Sequence, residues 1–266
     1  IVKIKEPISQ LRDSLLSYRE FLSILPEMLG EKEGKIYLVL FQNNTEIRPG
    51  GGFIGSFGLV SFRSGKLFHF EVSDVYSADG QLKGHVEPPP KLKQFLGVDN
   101  WYLRDSNWSP DFPQNSIKAM WFLEKETGKK VDGVVGLNLW VVQRILKATG
   151  EITLPDYQEK ISADNFFEKA EYYSEQGFFP GSKQKEDFLG SVSRLLFEKI
   201  KNTDDKTKVK ILQAFLESLE KKDLVFYVDD QKVTSFLGKN NWDGAIKEAV
   251  CQKKGVYCFQ DYLQLS

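Results

Sequence analysis

One stretch constrains the fold of this chain more than any other: KIYLVLFQNNTEIRPGGGFIGSFGLVSF, which ends at Phe62. An apolar run passes through a polar turn and Arg48 into three consecutive glycines, Gly50, Gly51 and Gly52, and then into a second apolar run. The segment is expected to fold as two strands joined by a glycine-rich hairpin connection, with Gly55 and Gly58 marking a bulge or a close packing contact. The same residues admit a second reading. Glycine lacks a Cβ, so these three residues can take positive φ and turn their N–H groups towards an anion, beside the forked and permanently charged donor of Arg48. A nucleotide P-loop is excluded, because no Gly-Lys-Ser/Thr follows the glycines and Phe53, Phe57, Leu59, Val60 and Phe62 continue as a strand, not a helix.

The rest of the chain alternates in the manner of a layered α/β domain. Residues 8–29 place Leu11, Leu15, Leu22, Leu25 and Leu29 near helical spacing, with Pro26 as a point of bending. Residues 66–73 alternate as a strand and lead into DVYSADGQLKGHVEPPPKL, read either as a lid or as a rigid proline-rich surface excursion. QNSIKAMWFLEKET (114–127) is a helix closed by Gly128. A strand over Val131, Val134, Val135 and Leu137, a helix from Leu139 to Thr149 and a strand at 151–154 follow. Residues 162–221 read as helical, with Ser162 or Asp164 capping the first helix, and 222–266 as a strand, a short helix and a Trp-Asp-Gly turn. The expected fold is a single α/β/α sandwich over 1–266 with a central mixed sheet, divided into an N-terminal helix (1–30), a sheet core (36–160), a helical segment (162–221) and a C-terminal segment (222–266). Its 266 residues, 41% hydrophobic, suffice for one sizeable core.

Charge separates the function classes. The 36 basic and 37 acidic residues nearly cancel and are interspersed, which argues against nucleic acid as a partner. No apolar run approaches the ~20 residues needed to span a bilayer. The first residues lack the apolar core and cleavage site of a signal peptide, so an anchor or export signal is expected outside this stretch. The two histidines, His69 and His85, have no metal-binding spacing. The two cysteines, Cys251 and Cys258, allow a small disulfide-closed turn if the protein is exported.

A second dense polar cluster lies in WYLRDSNWSPDFP (101–113). On one reading Asp105, Asn107 and Asp111 shape a loop and cap the helix that starts near Gln114. On the other they wall a site in which Arg104 holds an anion, a carboxylate takes a metal or a hydroxyl proton, and Trp101 or Trp108 stacks on a sugar ring. Lys183 and Lys185 oppose the dipole at the start of a later helix, a weak pointer to an anion and equally the mark of solvated lysines. No Gly-x-Ser-x-Gly and no dinucleotide fingerprint is present.

QNNTEIRPGGGFIGSFGLVSF, RDSNWSPDFP and VDGVVGLNLWVVQRILKATGEI, in that order and spacing, resemble a bacterial family defined as domain of unknown function 4012, over nearly the whole chain. More distantly the arrangement is similar to LytR-CpsA-Psr proteins, which transfer lipid-pyrophosphate-linked glycopolymers onto peptidoglycan with arginines, acids and a magnesium ion. Their Asp-x-Arg resembles Glu46-Ile47-Arg48. Their Pro-Arg-Asp falls at Val72-Ser73-Asp74 by spacing, or at Leu103-Arg104-Asp105 with an insertion, while their Arg-Ser-Asp-Thr is replaced by GFIGSFG, which carries no acid. The resemblance implies an extracytoplasmic, membrane-anchored envelope domain that takes a lipid-linked or polymeric glycan, with magnesium as the cofactor of the relatives. Within that frame Asp74 and Asp105 are the candidate catalytic acids. Glu46, Arg48, Gly51, Gly52, Arg104, Asn107, Asp111, Lys183 and Lys185 are the candidate ligand-binding residues. The alternative is a non-catalytic surface module for glycan or another envelope protein.

Overall fold

The computed structural model describes residues 16, 19–175 and 184–247. Its centre is a five-stranded mixed sheet in the order β3-β2-β1-β4-β7, formed by β1 (Lys35–Asn43), β2 (Phe53–Arg63), β3 (Lys66–Asp74), β4 (Gly133–Asn138) and β7 (Leu224–Val228). β1 pairs antiparallel with β2 and parallel with β4, so the glycine-rich stretch is a hairpin connection and the chain crosses over once before returning beside β1. The ladder slips between Phe41, which faces Ser56, and Gln42, which faces Ile54. Gly55 is therefore the extra residue of a β-bulge. β2 turns into β3 through Ser64 and Gly65, whose φ values of 51° and 75° are those of a two-residue hairpin turn.

β1 is apolar at successive positions because helices cover both of its faces. Leu38 and Leu40, fully buried, join Ile54, Phe57, Leu59 and Val134 in a core closed by α2 (Val75–Asp79), a 3-10 turn (Leu103–Asp105) and α4 (Phe112–Thr127). Tyr37 points to the other face, against helix α1 (residues 19–28) and α9 (Gln231–Lys239). A second core lies between α5 (Leu139–Thr149), the small β5–β6 hairpin (Ile152–Leu154 and Glu159–Ile161), α6 (Phe166–Glu175), α7 (Gln184–Lys201) and α8 (Asp205–Glu220). This is the α/β/α layering expected from the sequence.

The segment after β3 is more ordered than a lid or surface loop. Asp74 caps α2, Val75 and Ala78 enter the core, and Pro90 opens α3 (Pro90–Leu96), where a missing N–H and a fixed φ cost nothing. The first helix of the helical segment begins at Phe166, later than a cap at Ser162 or Asp164 would start it, because Ala163 to Asn165 form a turn held by Asn165 Oδ1 on the Ser162 amide.

Helices and sheet are joined through Arg144 on α5. Its guanidinium meets Asp223 at 2.6 Å and Glu217 at 3.3 Å and donates to Ser218 Oγ at 3.1 Å, while Asn138 Nδ2 holds the other Asp223 oxygen. Arg144→Met is expected to cost about 3 kcal/mol, because it leaves the poorly exposed Asp223 uncompensated. Urea unfolding of the variant against the parent measures it.

Candidate functional site

The glycine-rich connection is fixed in place by Asn107, more than fifty residues away in sequence. The Gly50 amide donates to the Asn107 carbonyl at 3.0 Å, and Asn107 Nδ2 donates to the Gly52 carbonyl at 2.6 Å. Gln42 Nε2 donates to the Gly50 carbonyl at 2.7 Å. Gly51 and Gly52 have φ values of 107° and 124°, and a Cβ on Gly50 would lie 2.6 Å from the Asn107 carbonyl oxygen. Three glycines in a row are therefore needed by this loop itself, two for backbone conformation and one for close approach. The loop presents Arg48, whose Nη1 donates to its own neighbour's carbonyl at Ile47, and whose Nε is buried with no partner. A buried donor left open is costly unless something accepts from it. Glu46, next to it, is exposed and accepts from Asn43 Nδ2.

The second cluster meets the first through the same Asn107. Trp101 packs its ring against Phe122 and donates Nε1 to the Asp105 carbonyl at 2.9 Å, so this indole is part of the scaffold. The 3-10 turn then presents Arg104 outward and Asp105 inward. Arg104 Nη1 donates to Asp79 Oδ2 at 2.6 Å, and its Nε lies 3.4 Å from Asp105 Oδ2. The guanidinium also rests on the rings of Tyr102 and Tyr76, at 4.4 and 5.2 Å. Glu126, from the last turn of α4, accepts the Leu103 amide at 3.0 Å. Asp111 is the N-cap of α4, accepting from Gln114 N, and its other oxygen accepts from Ile246 N. Asp74 plays the same part for α2, its Oδ1 accepting from Tyr76 N at 2.8 Å.

The structure thus brings together Arg48, Gly51, Gly52, Arg104, Asp105 and Asn107, with Asp74 beside them at the end of β3, and sets Asp111 and Glu46 at the margin. Lys185 begins α7 with its side chain outside the description, and Lys183, Cys251 and Cys258 lie outside the described residues. The sequence reading missed Asp79, Glu126, Tyr76 and Gln42. Glu126 had a signal, since it stands three and four residues after Leu123 and Phe122 on the apolar face of α4. Asp79 had none, because its segment reads as a loop.

Burial dominates the electrostatics. It pushes Asp79 up to about 7 against the pull of Arg104, and Glu126 up to about 8, with the neighbouring Asp79 adding to the effect. Asp105 is also raised by burial, while Arg104 and then Arg48 draw it back, which places Arg48 within electrostatic reach of that carboxylate. Burial works against the charge of Arg104, but Asp79, Asp105 and Tyr76 together outweigh it and hold the guanidinium above its ordinary value. The residues do not fit a magnesium ion held by the protein. Asp79 and Asp105 face Arg104, one oxygen each of Glu126 and Asp74 is taken by an amide, and no group of three His, Cys, Asp or Glu converges among the described residues.

The fold and this cluster define a class: a layered α/β sandwich with an arginine-bearing glycine-rich loop at one end of its central hairpin. Residues 32–173, more than half of the chain, match the family described as "Protein of unknown function (DUF4012)", and the chain belongs to that family. The protein gbs0355 from Streptococcus agalactiae shares the fold, with a TM-score of 0.50 and 16% identity over 82% of this chain and 75% of its own. TagV from B. subtilis is similar with a TM-score of 0.47 and 9% identity over 80% of this chain and 82% of its own. At 16% identity the likeness to gbs0355 is one of fold alone. No curated protein matches the chain.

The raised carboxyls carry a signed pH dependence. The folded chain keeps protons on Asp79 and Glu126 that the unfolded chain releases above pH ~4. Their contribution to stability is complete below that value and is lost as the pH rises through about 7 for Asp79 and about 8 for Glu126. The urea midpoint is expected to fall between pH 5 and 9, with a loss on the order of a few kcal/mol, and to fall less in Glu126→Gln.

Proposed function

We propose that this chain is an extracytoplasmic cell-envelope domain, held at the membrane by an anchor outside this stretch, that binds a lipid-pyrophosphate-linked glycopolymer and transfers it to the cell wall. The observation that carries the reading is the buried, unpartnered Nε of Arg48, held by a rigid loop beside Arg104 and Asp105. An oriented donor with nothing to donate to, acting on the same Asp105 carboxylate as a second guanidinium, is suited to a phosphate oxygen. Family membership and the shared fold support the envelope setting only by analogy.

In the proposed transfer, an acceptor sugar hydroxyl attacks the phosphorus next to the glycan. The new P–O bond forms as the bond to the bridging oxygen breaks, and the lipid leaves as its monophosphate. Asp105 takes the hydroxyl proton, because burial raises its basicity while Arg104 and then Arg48 favour its ionised form. Asp74 is the second candidate for that proton, with one oxygen already committed to capping α2. Arg48 stabilises charge on the transferring phosphoryl group, and Arg104 on the departing phosphate. The alternative, a binding module without turnover, is favoured by one fact: Arg104 already faces two carboxylates of its own chain.

Titration of the purified domain with a polyprenyl-pyrophosphate glycan tests the reading, alongside Arg48→Ala and Arg104→Ala shown by thermal unfolding to remain folded. Arg48→Ala is expected to weaken binding about 10- to 100-fold, the loss of a charge-assisted hydrogen bond. Asp105→Asn is expected to retain binding and abolish release of lipid monophosphate. Binding without release by the parent supports the module, and absence of binding sinks the pyrophosphate reading.

A further inference from the structure

The helices on the face of the sheet opposite α4 present an apolar line left exposed to solvent. Val134 and Val135 are neighbours on β4 and enter different cores, Val134 the one closed by α4 and Val135 the one that includes α8. On its inner side α8 buries Ile211, Ala214, Ser218 and Leu219 and packs on α5, and Arg144 pins it through Ser218 and Glu217. On its outer side it carries Val209, Leu212 and Leu216, which are 55%, 58% and 40% exposed. Their spacing places them on one line along the helix, in the manner of an a-d-a coiled-coil seam. A single exposed leucine is ordinary, but three apolar side chains on one line of a well-anchored helix form a face.

What borders the line identifies its occupant. Lys206, Gln213 and Glu220 are exposed and follow one another at heptad spacing along one flank, with Lys210 and Glu217 just outside them on the same side. That flank is basic in its first half and acidic in its second. Among the described residues Lys206, Lys210 and Glu220 join no ion pair, whereas Lys208 and Lys221 are matched within the helix by Asp205 and Glu217. Reversing the helix end for end about Leu212 and Gln213 exchanges Val209 with Leu216 and Lys206 with Glu220, so that apolar meets apolar and each lysine meets a glutamate. Complementarity of a surface to itself under a half-turn is what an isologous two-fold contact requires.

We propose that α8 is the interface of a two-fold homodimer, in which the helices of two copies of this chain pair antiparallel, the Val209, Leu212 and Leu216 lines packing together and Lys206 of each copy meeting Glu220 of the other. One helix pair makes a small interface, so the dimer is weak, with a Kd on the order of 10 to 100 µM. It leaves the layer that carries the 3-10 turn and Arg104 uncovered on both copies, and it rests on no reading of the arginines.

Sedimentation velocity of the folded domain between about 1 µM and 1 mM is expected to show a reversible monomer–dimer equilibrium. Leu212→Asp, at an exposed position, is expected to leave circular dichroism and thermal unfolding at low concentration unchanged and to keep the protein monomeric. Lys206→Glu and Glu220→Lys, each alone, bring like charges together and are expected to weaken the dimer about tenfold, while the two combined restore the parent affinity. These charge variants are also at exposed positions and read the interface independently of Leu212. A parent that stays monomeric throughout overturns the proposal. A dimer that survives Leu212→Asp overturns the choice of α8. A dimer lost in Leu212→Asp but not rescued by the combined charge reversal overturns the antiparallel pairing.

Discussion

The molecule is organised by the burial of β1 on both faces. A strand with Leu38 and Leu40 on one side and Tyr37 and Phe41 on the other requires helices above and below it, and it requires partners along both edges. The antiparallel partner, β2, comes at once through the glycine-rich connection. The parallel partner, β4, can come only after a long crossover, and it is this crossover that carries α2, the 3-10 turn and α4 across one face of the sheet. The connection from β1 to β2 and the crossover from β3 to β4 thus meet at the same end of the sheet. Asn107 joins them by hydrogen bonds in both directions.

Much of this was legible in the sequence, and for physical reasons. Apolar runs, glycine helix ends and the Asp-x-Pro start of α4 are local signals, and local signals gave the elements, their order and the layered class. The bulge at Gly55 was legible too, since a glycine inside a strand pattern has few other uses. The fold of residues 74–96 was not. Its two short helices owe their stability to tertiary burial of Val75, Ala78 and Leu92, which no short-range pattern announces. Of the site, the two arginine-bearing motifs stood out as dense polar phrases, and their meeting could not be read from either one. Asp79 and Glu126 were hidden for opposite reasons, one inside an apparent loop and the other inside an ordinary-looking helix end.

The balance of charge is what distinguishes the two arginines. Arg104 is surrounded by its own chain's acids and aromatic rings, so its position is strongly fixed and its charge partly spent. Arg48 is fixed by the backbone beneath it and leaves a buried donor open. A site built this way separates orientation from attraction. One guanidinium organises the acids around it, and the other leaves its buried Nε–H unpaired.

The unmatched Gly55 bears on this arrangement through the shape of the strand. On the strand side of the bulge the pairing of β1 with β2 runs in one phase, and on the loop side it is displaced by a residue. A chain shorter by that one glycine would keep Phe41 opposite Ser56 and Gln42 opposite Ile54 in one unbroken ladder, with a loop of the same length, and would lose only the bend and added twist that the extra residue puts into β2. The angle at which the arginine-bearing loop leaves the sheet is therefore set by a residue that pairs with nothing, and a relative with the same motif but a straight second strand would hold its arginine at a different tilt over the same end of the sheet.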